Sequence, residues 1–171
     1  MLTLRKATPE DVPQILAFIR SLAEYEREPD AVLATEADLL RDGFCEPRRF
    51  DCILAFWNDA FWDAEPAGFA LYCYNYSTWR GHAGIHLEDL FVPLHLRGRG
   101  IGKALLARVA AIAVEEGCPR LQWDVLEWNT PAIGFYQETG AAMMTEWRTM
   151  RVTGEALTRL AARSEHYDQP Y

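Results

Sequence analysis

Residues 86–102 read His86-Leu87-Glu88-Asp89-Leu90-Phe91-Val92, then Pro93-Leu94-His95-Leu96, then Arg97-Gly98-Arg99-Gly100-Ile101-Gly102. The first seven form an apolar strand pattern carrying two adjacent carboxylates. After a short link and a glycine-rich basic loop, an alanine- and leucine-rich helical segment runs from Lys103 to Glu116 and meets Gly117. Strand, loop and helix N-terminus together make a cradle for phosphate. Backbone N–H groups converge there, the helix dipole adds positive potential, and missing Cβ atoms let an anion approach closely. A carboxylate on the strand beside such a cradle is placed to take a proton from an amine.

The spacing separates this loop from two look-alikes. Gly98, Gly100 and Gly102 do not follow the dinucleotide fingerprint, whose last glycine stands three residues after the second. No Gly-Lys-Ser/Thr follows, which excludes a Walker loop. On the loop alone, a tight strand-to-helix turn without a ligand stays open as an alternative.

The chain has 171 residues, 50% of them apolar and 25% charged, which suits one soluble domain with a substantial core. No apolar run approaches the length of a membrane helix. Met1-Leu2-Thr3-Leu4-Arg5-Lys6 lacks the apolar core of a signal peptide, so the expected location is cytoplasmic. Cys45, Cys52, Cys73 and Cys118 are scattered, with no Cys-x-x-Cys pair, and read as reduced, mostly buried thiols. A formal net charge of −8 argues against nucleic acid or an anionic membrane as partner and favours a cationic substrate weakly.

Leu2–Arg5 alternates like a first strand. Thr8-Pro9-Glu10-Asp11 signals a helix start, and Val12, Ile15, Leu16, Ile19 and Leu22 continue it at helical spacing. Thr35 with Asp38 opens a second helix, which Gly43 is expected to close. Phe50–Trp57, Ala67–Tyr76, Ile85–Val92, Leu121–Leu126 and Met143–Val152 read as strands, and Asn58–Pro66 as a loop. Ile101–Glu116, Thr130–Glu138 and Gly154–Arg163 read as helices. The order describes one mixed α/β domain over residues 1–163, with a loose tail at 164–171.

These elements, with Arg97-Gly98-Arg99-Gly100-Ile101-Gly102, resemble the GNAT acetyltransferases. Leu22-Ala23-Glu24-Tyr25-Glu26, Tyr76-Ser77-Thr78-Trp79, Leu87-Glu88-Asp89-Leu90-Phe91-Val92, Glu127-Trp128-Asn129 and Phe135-Tyr136 resemble one branch, the diamine (spermidine/spermine) and thialysine acetyltransferases. The resemblance extends from about Leu4 to Met150. It implies a mixed, mostly antiparallel central sheet, split at the cofactor site and flanked by helices. It also implies acetyl-coenzyme A as co-substrate, no metal, a small-molecule amine as partner, and a homodimer. Leu90, Phe91 and Val92 would pair with the pantetheine arm. Arg97, Gly98, Arg99, Gly100, Ile101, Gly102 and Lys103 would hold the pyrophosphate. Asn129 resembles a further coenzyme A contact, with a helix cap as the alternative. Glu88 resembles the catalytic base. Tyr136 resembles the acid that serves the coenzyme sulfur, with a packed core aromatic as the alternative. Tyr25, Glu26, Trp79, Glu88, Asp89 and Asp124 are the expected substrate contacts, since carboxylates with aromatic faces suit an alkylammonium.

Acetyl transfer to an amine needs a base for the ammonium, a donor for the thioester oxygen and a proton for the departing thiolate. Adjacent residues on a regular strand point to opposite faces, so only one of Glu88 and Asp89 lines the pocket unless the strand bulges. Ser77 stands where polyamine acetyltransferases carry an aspartate, and Arg80 follows; both features resemble the thialysine branch. An acetyltransferase acting on a protein or antibiotic amine, or a coenzyme A-binding module without turnover, are the competing readings.

Overall fold

The computed structural model describes residues 1–58 and 64–166, in two compact units, Met1–Asp124 and Val125–Tyr171. The expected loop Asn58–Pro66 and the expected tail 164–171 fall partly outside the described residues.

The first unit holds β1 (Leu2–Lys6), α1 (Val12–Tyr25), α2 (Glu36–Phe44), β2 (Asp51–Trp57), β3 (Glu65–Ser77), β4 (His82–Phe91), α3 (Ile101–Glu115) and β5 (Leu121–Gln122). The strands form one sheet in the order β1-β2-β3-β4-β5. The first four are antiparallel neighbours, and β5 joins β4 in parallel.

Local chemistry sets the helix starts. The Asp11 carboxylate accepts from the Thr8 N–H at 2.7 Å and pairs with Arg5 at 2.6 Å. Thr35 and Asp38 form a reciprocal cap on α2. α2 does not stop at Gly43 as expected but runs on to Phe44. Gly43 serves packing instead, because a Cβ there would stand 2.5 Å from the Phe50 ring.

Two apolar layers enclose the sheet. On one face Val12, Ile15, Leu16 and Phe18 of α1, with Leu39 of α2, cover Cys52, Leu54, Phe69, Leu71 and Phe91. Phe18 stacks on Phe69 at 5.6 Å and tilts against Phe91 at 6.0 Å. On the other face lies α3, which buries Ile101, Leu105, Leu106, Val109 and Ile112. Each such side chain contributes about 1.5–3 kcal/mol of burial.

β5 is shorter than the expected Leu121–Leu126. Its pairing covers only Ile85↔Leu121 and His86↔Gln122, so beyond His86 β4 continues with no strand on that side among the described residues. The sheet is therefore split along the second half of β4.

The second unit holds α4 (Thr130–Glu138) and α5 (Gly154–Ala161), the latter continued by a 3-10 turn over Ala162–His166. The expected strand Met143–Val152 is not formed. A strand needs a neighbour to take its N–H and C=O groups, and no strand partners this segment among the described residues. Met143, Met144, Trp147, Met150 and Val152 are exposed. Cys45 is exposed, Cys73 half-buried, and Cys52 and Cys118 buried, all as free thiols. No helix is long and apolar enough to cross a membrane among the described residues.

Candidate active site

The two carboxylates of β4 stand at an irregularity in the ladder. Tyr72 pairs with Leu87 and Leu71 with Asp89, which leaves Glu88 as an extra residue, a β-bulge. Partners across an antiparallel pair share a face. Asp89 therefore shares the face of Leu71 and Phe91, under α1. His86, the partner of Cys73, lies on that face too. Its Nε2 is 3.6 Å from Glu88 Oε2. The bulge thus brings Glu88 and Asp89 onto one face, which a regular strand cannot do.

Their surroundings differ. The Glu88 side chain is 62% exposed. Asp89 is mostly buried, and no hydrogen-bond donor among the described residues reaches its carboxylate. Burial, reinforced by the nearby charges of Glu88 and Glu26, pushes the Asp89 carboxyl up to about 7. Glu26 caps the C-terminus of α1, and its own carboxyl is raised by burial. Three carboxylates from two elements thus act on one region without a cation among the charges that shift Asp89. A mobile cation or a proton is what such a place takes up.

The glycine loop lies beyond β4. Gly98 and Gly100 have φ of 76° and 78°, a left-handed backbone that favours glycine, and open space lies where their Cβ atoms would be. Gly100 is the N-cap of α3, and the first helical bond runs from the Ala104 N–H to Gly100 O at 3.0 Å. The N–H groups before Ala104 in the first turn have no helical acceptor. Gly102 lies inside the helix, Ile101 is in the core, and Lys103 is exposed. Both arginines lie against aromatic rings. Arg97 Nε donates to Val92 O at 3.0 Å, and its guanidinium lies 4.2 Å over the Tyr25 ring. Arg99 lies 5.4 Å over Trp57. Phe91 and Val92 are buried and Leu90 half-buried. An open groove of about 440 Å³ runs between α1 and the end of β4, lined in part by Ser21, Glu24, Tyr25, Phe91 and Leu94.

The other expected residues are placed as follows. Tyr25 lines the groove, and Glu26 acts on Asp89. Trp79 is 90% exposed at the tip of the β3–β4 hairpin. The strand from His82 to Glu88 spans about 20 Å, so Ser77, Trp79 and Arg80 are not brought to the carboxylates of the same chain. Asp124 is exposed, beyond the end of β5. In the second unit, Asn129 is buried and caps α4, its Oδ1 accepting from the Ala132 N–H at 3.4 Å. Tyr136 is half-buried on α4, its ring 5.1 Å from Phe135. Sequence reasoning missed the His86–Glu88 contact and the Arg97–Tyr25 stack. The alternation of His86 with Glu88 was the one available sign of the first; the second joins residues far apart in sequence and left no local sign.

A bulged strand with clustered acids thus runs towards a glycine loop at a helix N-terminus, on an α/β sheet split along β4. Residues 15–141 match the model of the acetyltransferase (GNAT) family, and the chain belongs to that family. It is 39% identical to thialysine N-epsilon-acetyltransferase of Bos taurus over 168 residues, 94% of this chain and 97% of the relative. It is 36% identical to spermidine/spermine N(1)-acetyltransferase-like protein 1 of Homo sapiens, over 92% of this chain and 23% of that one. Among solved structures, an integron cassette protein from the mobile metagenome of V. cholerae superposes with a TM-score of 0.77 at 27% identity, covering 94% and 97% of the two chains.

Proposed function

We propose that this acetyltransferase moves the acetyl group of acetyl-coenzyme A to the primary amine of a small cationic substrate, a thialysine-like amino acid or a short diamine. The observation that carries the reading is the carboxylate pair on one face of β4, next to the glycine cradle. The likeness to thialysine acetyltransferase over nearly the full length of both chains supports the substrate class.

The residues present fit the co-substrate. Open space over Gly98 and Gly100, and the unpaired N–H groups at the start of α3, suit a pyrophosphate. Beyond His86 no strand lies on the β5 side of β4 among the described residues, and the edge there, at Leu90 and Phe91, suits an extended pantetheine arm. Arg97, tied to Val92 O and Tyr25, holds the end of β4 against α1 rather than serving as a loose charge. The bound thioester supplies an activated acetyl group. The acidic face attracts the ammonium, a carboxylate of the Glu88–Asp89 pair takes its proton, and Tyr136 gives a proton to the departing sulfur. A phenol with an ordinary pKa of about 10 is protonated at neutral pH and can donate.

The test is release of free thiol from acetyl-coenzyme A with thialysine, lysine, putrescine, spermidine and spermine. Turnover is expected with thialysine or the short diamine above spermine. Absence of release with every amine sinks the reading, and a preference for spermine sinks the substrate class.

A further inference from the structure

We propose that Asp89, turned beneath α1 by the bulge at Glu88, is the proton acceptor of the acetyl transfer, and that Glu88 holds the incoming ammonium at the mouth of the site. This rests on the function proposed above and reverses the expectation that Glu88 is the base.

The bulge makes both residues eligible, since both lie on one face. Their settings then divide the roles. Glu88 is open to water and stands 3.6 Å from His86 Nε2. An exposed carboxylate of this kind is placed to meet a cation arriving from solvent. Asp89 has no donor among the described residues, and Leu71 and Phe91 flank it on the same face. The titratable groups that act around it are Glu88 on its own strand, Glu26 at the end of α1 and Cys52 on β2. Leu71, its β3 partner, adds no charge. Burial and the charges of Glu88 and Glu26 disfavour a negative charge on Asp89, while the Cys52 thiol, itself raised by burial, stays neutral. Protonation relieves the repulsion, and the resulting poise near neutral pH is where a general base works best.

The step balances as follows. One proton of the ammonium passes to Asp89 Oδ. The nitrogen lone pair then attacks the thioester carbon and forms the C–N bond. The C–S bond breaks, and its electron pair leaves with sulfur, which takes a proton from the acid. The second nitrogen proton is lost as the amide forms and restores that acid. Asp89 returns its proton to solvent when the products leave.

The experiment compares kcat/KM against pH for the unmodified chain, Asp89→Asn and Glu88→Gln, with thialysine and acetyl-coenzyme A. The unmodified chain should show a rising limb centred near pH 7. Asp89→Asn should lose that limb, with kcat lower by about two to four orders of magnitude. Glu88→Gln should keep the limb and raise the KM for the amine. A limb retained in Asp89→Asn and lost in Glu88→Gln overturns the assignment while leaving the acetyltransferase reading in place. Absence of amine-dependent thiol release in the unmodified chain removes that reading itself. Carboxyl-labelled NMR titration of the unmodified protein gives an answer independent of variant folding. A midpoint for Asp89 that coincides with the kinetic limb supports the assignment, and a midpoint below pH 5 overturns it.

Discussion

A carboxyl poised at about 7 is half protonated at neutral pH, and this has a thermodynamic cost elsewhere on the pH scale. The folded-state value lies above the ordinary one of about 4, so between those values the folded chain binds more protons than the unfolded chain. Stability therefore falls as pH rises from about 4 to about 7, and is flat above. Asp89→Asn removes the burden. It should raise the unfolding free energy measured by urea titration at pH 8 by on the order of 2–4 kcal/mol, and by much less at pH 5. An equal gain at both values would mean that Asp89 ionises in the ordinary range. Tyr136 makes the opposite kind of prediction. Tyr136→Phe should lower kcat by about two to four orders of magnitude while calorimetry finds acetyl-coenzyme A affinity within about twofold. Unchanged turnover would assign the ring to packing beside Phe135. The sequence announced two acids in an apolar strand, but not which way each points. That depends on the register between Leu71/Tyr72 and Leu87/Asp89, a relation between strands that neither strand carries alone.

The loop before α3 gains its shape from two left-handed glycines, and Gly100 is also the helix N-cap. Gly100→Val should cost about 1–2 kcal/mol in stability from backbone strain. It should also weaken acetyl-coenzyme A binding at least tenfold, because the side chain would fill the open space over the loop. Titration calorimetry on the folded variant checks this, and unchanged affinity would move the pyrophosphate elsewhere. Helices were the readable elements. The spans expected for α3 and α4 differ from the observed ones by at most a residue at either end, because caps and helical periodicity are local. Strand ends were less readable, since a strand lasts only as long as its partner. β4 starts at His82 rather than Ile85 because β3 pairs with it down to Ser77↔His82. Met143–Val152, expected as a strand, has no such partner among the described residues and forms none. Gly43 shows the same limit inside a helix. Its reason is the Phe50 ring, which reaches it from outside the helix.

For the whole molecule the excess of acid, a net charge of −8, has a kinetic signature. Long-range attraction should speed capture of a cationic amine at low salt and fade as the screening length shrinks. Raising ionic strength from about 0.02 to 0.5 M should lower kcat/KM for a diamine by about three- to tenfold. The same change should lower the KM for the anionic acetyl-coenzyme A, since repulsion is screened. Stopped-flow measurement at several salt concentrations checks both trends, and a diamine rate indifferent to salt would confine the charge to solubility. Family membership was legible at this scale. The strand-loop-helix cradle and the Glu-Asp, Glu-Trp-Asn and Phe-Tyr groups are contiguous in the chain, so no folding was needed to see them. The position of Trp79 was not, because a motif gives composition and a hairpin of this length adds about 20 Å.

Side chains along a strand alternate as odd and even numbers do, and the extra residue at Glu88 shifts that parity by one. Removing it would leave Leu87 opposite Tyr72, Asp89 opposite Leu71 and the later pairings in step. A chain shortened by this single codon should therefore keep its sheet, its cradle and one acid, and lose the other. The placing of two neighbouring acids on one face is thus encoded as a length, so a deletion undoes it without altering any residue that remains.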